Sequence, residues 1–317
     1  MSPERPPIIT ISDKSHGLPF SKGLLAVSFM STGLPPSKAY TIAQAIQDEL
    51  RERGELDIDS EKLRRMAAEY LKRMSSDEFA TRYLKMRDVS KLDRPLIILI
   101  GGTTGVGKST IATEIAHRLG ITRISSTDSV REVMRGIFSR DLMPAIYESA
   151  FSAWRGLRVP VPEGANPVIV GFREQTAAVN AGVKSLIDRA VVEGLSMVIE
   201  GVHLVPGYLD ATAFEGALVI QIVIAVDDAQ SHLSHFYIRE VQTEGSRPLE
   251  RYRANFTEIR MLGRYIEDMA REHHIPVICS HQLDRTVADV LEHIVAAAVN
   301  EKTDAGTCPA VSNKEGT

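Results

Sequence analysis

The chain has 317 residues, 44% hydrophobic and 25% charged, enough for one large globular domain or two ordinary ones. A net charge of -4 excludes a global basic field that would gather nucleic acid. Apolar runs such as 96–100 are too short to span a bilayer, and residues 1–10 have no apolar signal core. Two cysteines, Cys279 and Cys308, make no disulfide framework. The expectation is a cytoplasmic protein with neither membrane nor nucleic-acid partners. A homo-oligomer remains compatible with the sequence.

In chain order, residues 1–92 show a short extended start and then helical periodicity. Arg94-Pro95 marks a boundary, because proline disfavours helix at the preceding residue and suits the start of a strand. From 93 to 300 short apolar segments at 96–100, 122–126, 197–199, 218–226 and 276–279 read as strands buried on both faces. Amphipathic stretches at 108–119, 129–136, 174–193, 229–243, 249–272 and 284–298 read as the helices between them. This alternation predicts an α/β domain with a parallel sheet, whose ligands sit at the carboxyl ends of the strands. Residues 301–317 are small and polar without periodicity, and are expected to be a disordered tail.

The segment Gly102-Thr103-Thr104-Gly105-Val106-Gly107-Lys108-Ser109 fits the P-loop pattern without a mismatch, and it stands between an apolar strand and an amphipathic helix. Its glycines let the backbone wrap phosphates with N–H groups turned inward, and the helix N-terminus adds partial positive charge. Lys108 is the expected cation for the β- and γ-phosphates of ATP. Ser109 is the expected hydroxyl ligand of Mg²⁺, and Thr110 extends the nucleotide set.

Asp128 closes the second strand, in TRISSTD. It is a candidate to orient or deprotonate an attacking hydroxyl or to hold Mg²⁺ through water, and also a candidate helix cap. Arg131 and Arg135, one helical turn apart, suit the carboxylate or phosphate of an anionic acceptor; a solvated basic face would carry the same spacing. Arg173 and Gln175 are further candidate donors, and Phe172 a candidate pocket wall. Glu200 ends the third strand as a second candidate Mg²⁺ acid, with His203 a weaker candidate beside it. Arg239, Arg247, Arg251 and Arg253 surround Gly245, the pattern of an arginine-bearing lid over ATP, with Arg247 assigned to the nucleotide. A solvated helical hairpin reads the same way.

Four segments carry a resemblance to a known family: IGGTTGVGKST, STDSVREVMR, VGFREQTAAVNAGVKSLIDRAVVEGLSMVIEGVHLVPG and the N-terminal LPFSKGLLAVSFMSTGLPPSKAYTIA. Together they resemble the 2-phosphoglycerate kinase family over nearly the whole chain except the tail. The resemblance implies a nucleotide-kinase-like P-loop domain at 93–300 that uses ATP and Mg²⁺ to make 2,3-bisphosphoglycerate. Residues 1–92 are similar to an ATP-cone, a small helical nucleotide-binding module. ATP-cones usually carry a basic pair in the opening strand, where this chain has Ile11-Ser12. Other readings stay open: a kinase of another small phosphorylated hydroxy acid or sugar, and a non-catalytic ATP-binding regulator.

Overall fold

The computed structural model describes residues 9–13, 16–89, 92, 94–242 and 249–305. The chain divides into two compact units, one running to Lys91 and including residues from Ala298 onward, the other Leu92–Ala297.

The first unit is mainly helical. Its elements are β1 (Thr10–Asp13), β2 (His16–Pro19), α1 (Lys22–Met30), α2 (Pro36–Glu52), β3 (Asp57–Asp59), α3 (Ser60–Met74) and α4 (Asp77–Val89). β1 pairs antiparallel with β2 and parallel with β3. Ala39, Ile42, Ala43, Ile46 and Leu50 form one buried stripe along α2, the spacing of a helix facing a core. Proline at the first position of α2 costs nothing, since that N–H lacks a helical partner anyway. The Asp59 carboxylate caps α3 by accepting from the Glu61 and Lys62 N–H groups. Ile11 of β1, half-buried, packs against the core.

The second unit contains β4 (Leu96–Gly101), α5 (Lys108–Leu119), β5 (Ile124–Ser126), α6 (Thr127–Ile137), α7 (Pro167–Val192), β6 (Met197–Glu200), β7 (Leu218–Ala225), α8 (Ala229–Gln242), α9 (Leu249–Ala254), α10 (Phe256–Glu272), β8 (Val277–Cys279) and α11 (Leu283–Ala305). Two 3₁₀ turns, Pro144–Tyr147 and Ala150–Gly156, link α6 to α7. The five strands are parallel in the order β5-β6-β4-β7-β8. Every residue of β4 is buried, as its continuous apolar run requires at the middle of such a sheet. The chain leaves β4 for one side of the sheet and later returns to its other side. The crevice at the end of β4 is therefore the topological switch point where ligands bind.

The departures from expectation that bear on the site and the tail are these. α7 begins at Pro167, earlier than 174, because Asn166 accepts from the Val168 N–H and Pro167 suits the first helical position. α6 begins at Thr127, capped by Ser126, so Asp128 lies in its first turn and is not the cap. The single helix expected over 249–272 breaks at Asn255, whose side chain donates to the Arg251 carbonyl. α11 carries helix to Ala305, into the expected tail, and 306–317 lie outside the described residues.

Phe172 does not line a pocket. It is fully buried with Val202, Val205, Val223, Phe236 and Ile259, its ring edge-to-face with Tyr265 at 6.1 Å. Phe172→Ala should cost about 3–5 kcal/mol of stability through transfer and cavity terms, read as a lower urea midpoint. The folded fraction should keep an unchanged KM for the acceptor; a raised KM would return Phe172 to the substrate site.

Candidate functional site

The carboxyl ends of β4, β5 and β6 open onto a cleft of about 680 Å³ lined by Thr104, Gly105, Gly107, Lys108, Ser109, Thr110, Asp128, Glu200, His235 and His281, among others. That volume suits a nucleotide-sized ligand. The P-loop is its floor. Gly105 has φ +88°, and a Cβ there would stand 2.4 Å from the Phe236 ring. A Cβ at Gly102 would stand 2.3 Å from the Ile224 carbonyl oxygen. The loop thus lies closer to β7 and α8 than any side chain would allow, which presses its backbone into a concave turn.

Three consecutive carbonyls of the loop are held, one by the loop's own lysine and two by α8. Lys108 Nζ donates to Thr103 O at 2.7 Å, His232 Nε2 to Thr104 O at 2.7 Å, and His235 Nδ1 to Gly105 O at 2.8 Å. A trans peptide points its N–H opposite to its C=O. Fixing these carbonyls therefore turns the following N–H groups the other way, the orientation a phosphate needs. His232 stacks on Phe236 at 5.2 Å, and Phe236 on Tyr252 at 4.6 Å, so α8 is a packed brace. No local motif marks these histidines in the sequence. Their signal was the i, i+3, i+4 spacing of His232, His235 and Phe236, which shares one helix face. Thr103 and Val106 contribute backbone only: the Thr103 hydroxyl donates to Ile259 O at 3.0 Å and Val106 is fully buried.

Lys108 is buried, and burial lowers its pKa against the opposing pull of Glu200 and Asp128. Ser109 Oγ donates to Glu200 Oε1 at 3.0 Å, which joins the first turn of α5 to the end of β6. Ser109, Glu200 and Asp128 all face the cleft, a hydroxyl and two carboxylates of the oxygen-donor chemistry that suits Mg²⁺.

Beyond Asp128 lies a buried polar chain. Gln175 Nε2 donates to Ala145 O at 2.6 Å and Glu148 O at 3.0 Å, leaving its Oε1 to accept from His203 Nε2 at 2.9 Å. With its proton on Nε2, His203 Nδ1 accepts from the Thr127 hydroxyl at 2.9 Å. Burial, seconded by the positive charge of Arg131, drives the His203 pKa down to about 3. His203 is a neutral strut, not an acid or base. Gln175, expected at the substrate, is fully buried with every hydrogen-bonding atom engaged, so it positions the site without touching a ligand.

The arginines divide. Arg131 stays beside the cleft: it donates to Glu148 O at 2.5 Å and pairs with Asp128 at 3.2 Å. Arg135 does not reach the cleft. It lies over the Tyr147 ring at 5.0 Å and pairs with Glu132 at 2.7 Å. Arg173 is also directed elsewhere: it is exposed, and the nearby Tyr208 hydroxyl raises its pKa. Arg247 lies outside the described residues, as does the side chain of Arg239. Arg251 donates to Ser149 Oγ at 2.5 Å and Arg253 stands 3.7 Å from Glu250.

A parallel sheet of this order, a P-loop leaving its central strand, and acids on the neighbouring elements define a P-loop kinase. Comparison with known proteins specifies which kind. The chain is 42% identical over 289 residues to 2-phosphoglycerate kinase of Methanothermobacter thermautotrophicus, covering 91% of this chain and 94% of that protein. It is 44% identical to 2-phosphoglycerate kinase of Methanocaldococcus jannaschii, covering 90% and 91%, and 40% identical to that of Pyrococcus furiosus, covering 89% and 91%. The chain belongs to the 2-phosphoglycerate kinase family. No family model matches it. Among solved structures, shikimate kinase from Acinetobacter baumannii covers 68% of this chain and 98% of its own at 19% identity and TM-score 0.38. Among the described residues no helix is long and apolar enough to cross a membrane.

Burial also lowers His232, to about 4, while its bond to Thr104 partly opposes the shift. Both buried histidines titrate below the unfolded value of about 6.5, so as pH falls the unfolded chain takes up protons first. Their contribution to stability is full above about pH 6.5 and is lost as pH falls toward the folded values. Urea midpoints measured between pH 7 and pH 4.5 should decline, and more gently in His203→Gln and His232→Gln. Parallel slopes in wild type and both variants would contradict the buried neutral assignment.

Proposed function

We propose that this chain transfers the γ-phosphoryl group of ATP to the free hydroxyl of 2-phosphoglycerate, giving 2,3-bisphosphoglycerate and ADP. One observation carries the reading: Lys108, the Ser109–Glu200 pair and Asp128 line a single cleft above the P-loop, with Arg131 held against Asp128. The 2-phosphoglycerate kinase activity named for relatives at about 40% identity supports the choice of acceptor.

The loop fits a triphosphate. Gly102 and Gly105 let it pack against β7 and α8 where a Cβ would clash, and the Thr104 and Gly105 carbonyls are already satisfied. Ser109 and Glu200 would hold Mg²⁺, with Asp128 reaching the ion only through water; when bound, the ion would neutralise the developing phosphate charge. Lys108, kept in a desolvated position, is a stronger electrostatic partner than it would be in water. Asp128 orients the acceptor hydroxyl and takes its proton as the new P–O bond forms. Arg131 contributes positive charge for the acceptor's anions. α8 and the His203 chain hold these groups in place before substrate arrives, which confers the pre-organisation that phosphoryl transfer depends on.

Lys108→Ala should reduce kcat by at least about a hundredfold while its melting temperature stays within a few degrees of wild type. Wild-type turnover in a folded Lys108→Ala protein would refute the assignment.

Asp128→Asn should lower kcat more than it raises either KM. Arg131→Ala should lower kcat/KM for the acceptor by about 2–5 kcal/mol in transition-state terms, with ATP affinity nearly intact. Glycerate, which lacks the phosphate, should be a much poorer acceptor than 2-phosphoglycerate. Equal rates for the two would remove the anion-recognition argument.

A further inference from the structure

A second cluster of chemistry stands at the ends of β7 and β8, and phosphoryl transfer does not use it. Asp227 follows β7, Cys279 ends β8 and His281 lies two residues further on. One carboxylate oxygen, the thiol sulfur and one imidazole nitrogen all lie within 4.8 Å of one another. The Cys279 sulfur and Asp227 Oδ2 are 3.3 Å apart. Two atoms bound to one tetrahedral ion at about 2.0–2.3 Å are separated by roughly 3.3–3.7 Å, so this pair already has a shared-ligand spacing.

The backbone beneath the cluster is fixed. Ala225 and Cys279 are register partners across the parallel ladder, and Ser280 N donates to Ala225 O at 2.8 Å. Arg260 donates to the carbonyls of both Val226 and Asp227, clamping the turn after β7. Capping of α8 is done by Asp228, which accepts from the Ser231 N–H, so the Asp227 carboxylate is free of that duty. Glu267 lines a small cavity together with Asp227 and Arg260 and adds negative charge near the sulfur.

We propose that Asp227, Cys279 and His281 form a three-ligand site for Zn²⁺. The donor set decides the class of ion. Mg²⁺ and Ca²⁺ take all-oxygen sites, whereas one thiolate, one imidazole and one carboxylate suit a borderline ion. Three protein ligands leave the fourth tetrahedral position to water. Coordination requires the thiolate, so the Cys279 proton is released to solvent as the metal–sulfur bond forms. Affinity therefore rises with pH. Burial and the neighbouring Asp227 hold the thiol protonated in the metal-free protein, which leaves the site weaker than a closed structural zinc site. His281 also lines the nucleotide cleft, so the site lies on the rim of that cleft.

The experiment is a titration of the full-length protein with Co²⁺ as a spectroscopic substitute for Zn²⁺. The expected result is a near-ultraviolet thiolate-to-cobalt band and visible tetrahedral bands that saturate at one equivalent and vanish when Zn²⁺ is added. Both sets should be absent in Cys279→Ser and present in Cys308→Ser. Asp227→Asn and His281→Ala should each weaken binding about tenfold or more, with circular dichroism used to confirm that each variant is folded. Absence of the thiolate band in the wild-type protein would overturn the proposal. So would bands that survive in Cys279→Ser or disappear in Cys308→Ser.

Discussion

A loop that turns its N–H groups toward phosphates must turn its carbonyls away from them, and those carbonyls need donors. Everything around the cleft answers that requirement. The Thr103, Thr104 and Gly105 carbonyls receive hydrogen bonds from Lys108, His232 and His235. Two of the donors come from α8, which reaches the loop only because Gly105 lacks a side chain where Phe236 packs. An unsatisfied buried carbonyl would cost about 1–3 kcal/mol, so three in succession would favour a different loop conformation. The brace is thus a condition of the phosphate site.

The acceptor side obeys the same logic with different parts. Thr127, His203 and Gln175 connect the start of α6 to the turn at Ala145–Glu148 through buried hydrogen bonds. Arg131 closes the circuit on the Glu148 carbonyl. A neutral histidine suits this role, because a charged one would stand buried beside Arg131 and Lys108. The chain holds Asp128 at the cleft without lending it a proton-transfer partner. The chemistry is left to the carboxylate and to the ion that Ser109 and Glu200 are suited to bind.

Much of this was legible in the sequence, because the strongest signals are local. The strand at 96–100, the loop after it and the helix at 108–119 follow from an apolar run, a glycine pattern and a helix with a Gly120 C-cap. Asp128 and Glu200 were placed at strand ends by the alternation of elements, and the cleft gathers both. What could not be read was which side chain turns inward. Phe172 and Gln175, three apart on α7, both turn inward, one to the core and one to a buried polar chain, while Arg173 is exposed, since consecutive residues on a helix diverge by about 100°. Arg131 and Arg135 share a face, yet Tyr147 captures the second through its ring. His232 and His235 act on a loop some 130 residues away, and no local pattern records a partner at that distance.

The central claim is that the cleft above the P-loop moves a phosphoryl group onto a phosphorylated hydroxy acid. Phosphorus NMR of the full-length protein with ATP, Mg²⁺ and 2-phosphoglycerate tests it most directly. The account predicts that the single acceptor resonance is replaced by two inequivalent phosphate-ester resonances of equal area, rising in step with ADP. Release of inorganic phosphate with the acceptor resonance unchanged would contradict it, as would ATP that remains intact in the presence of the acceptor.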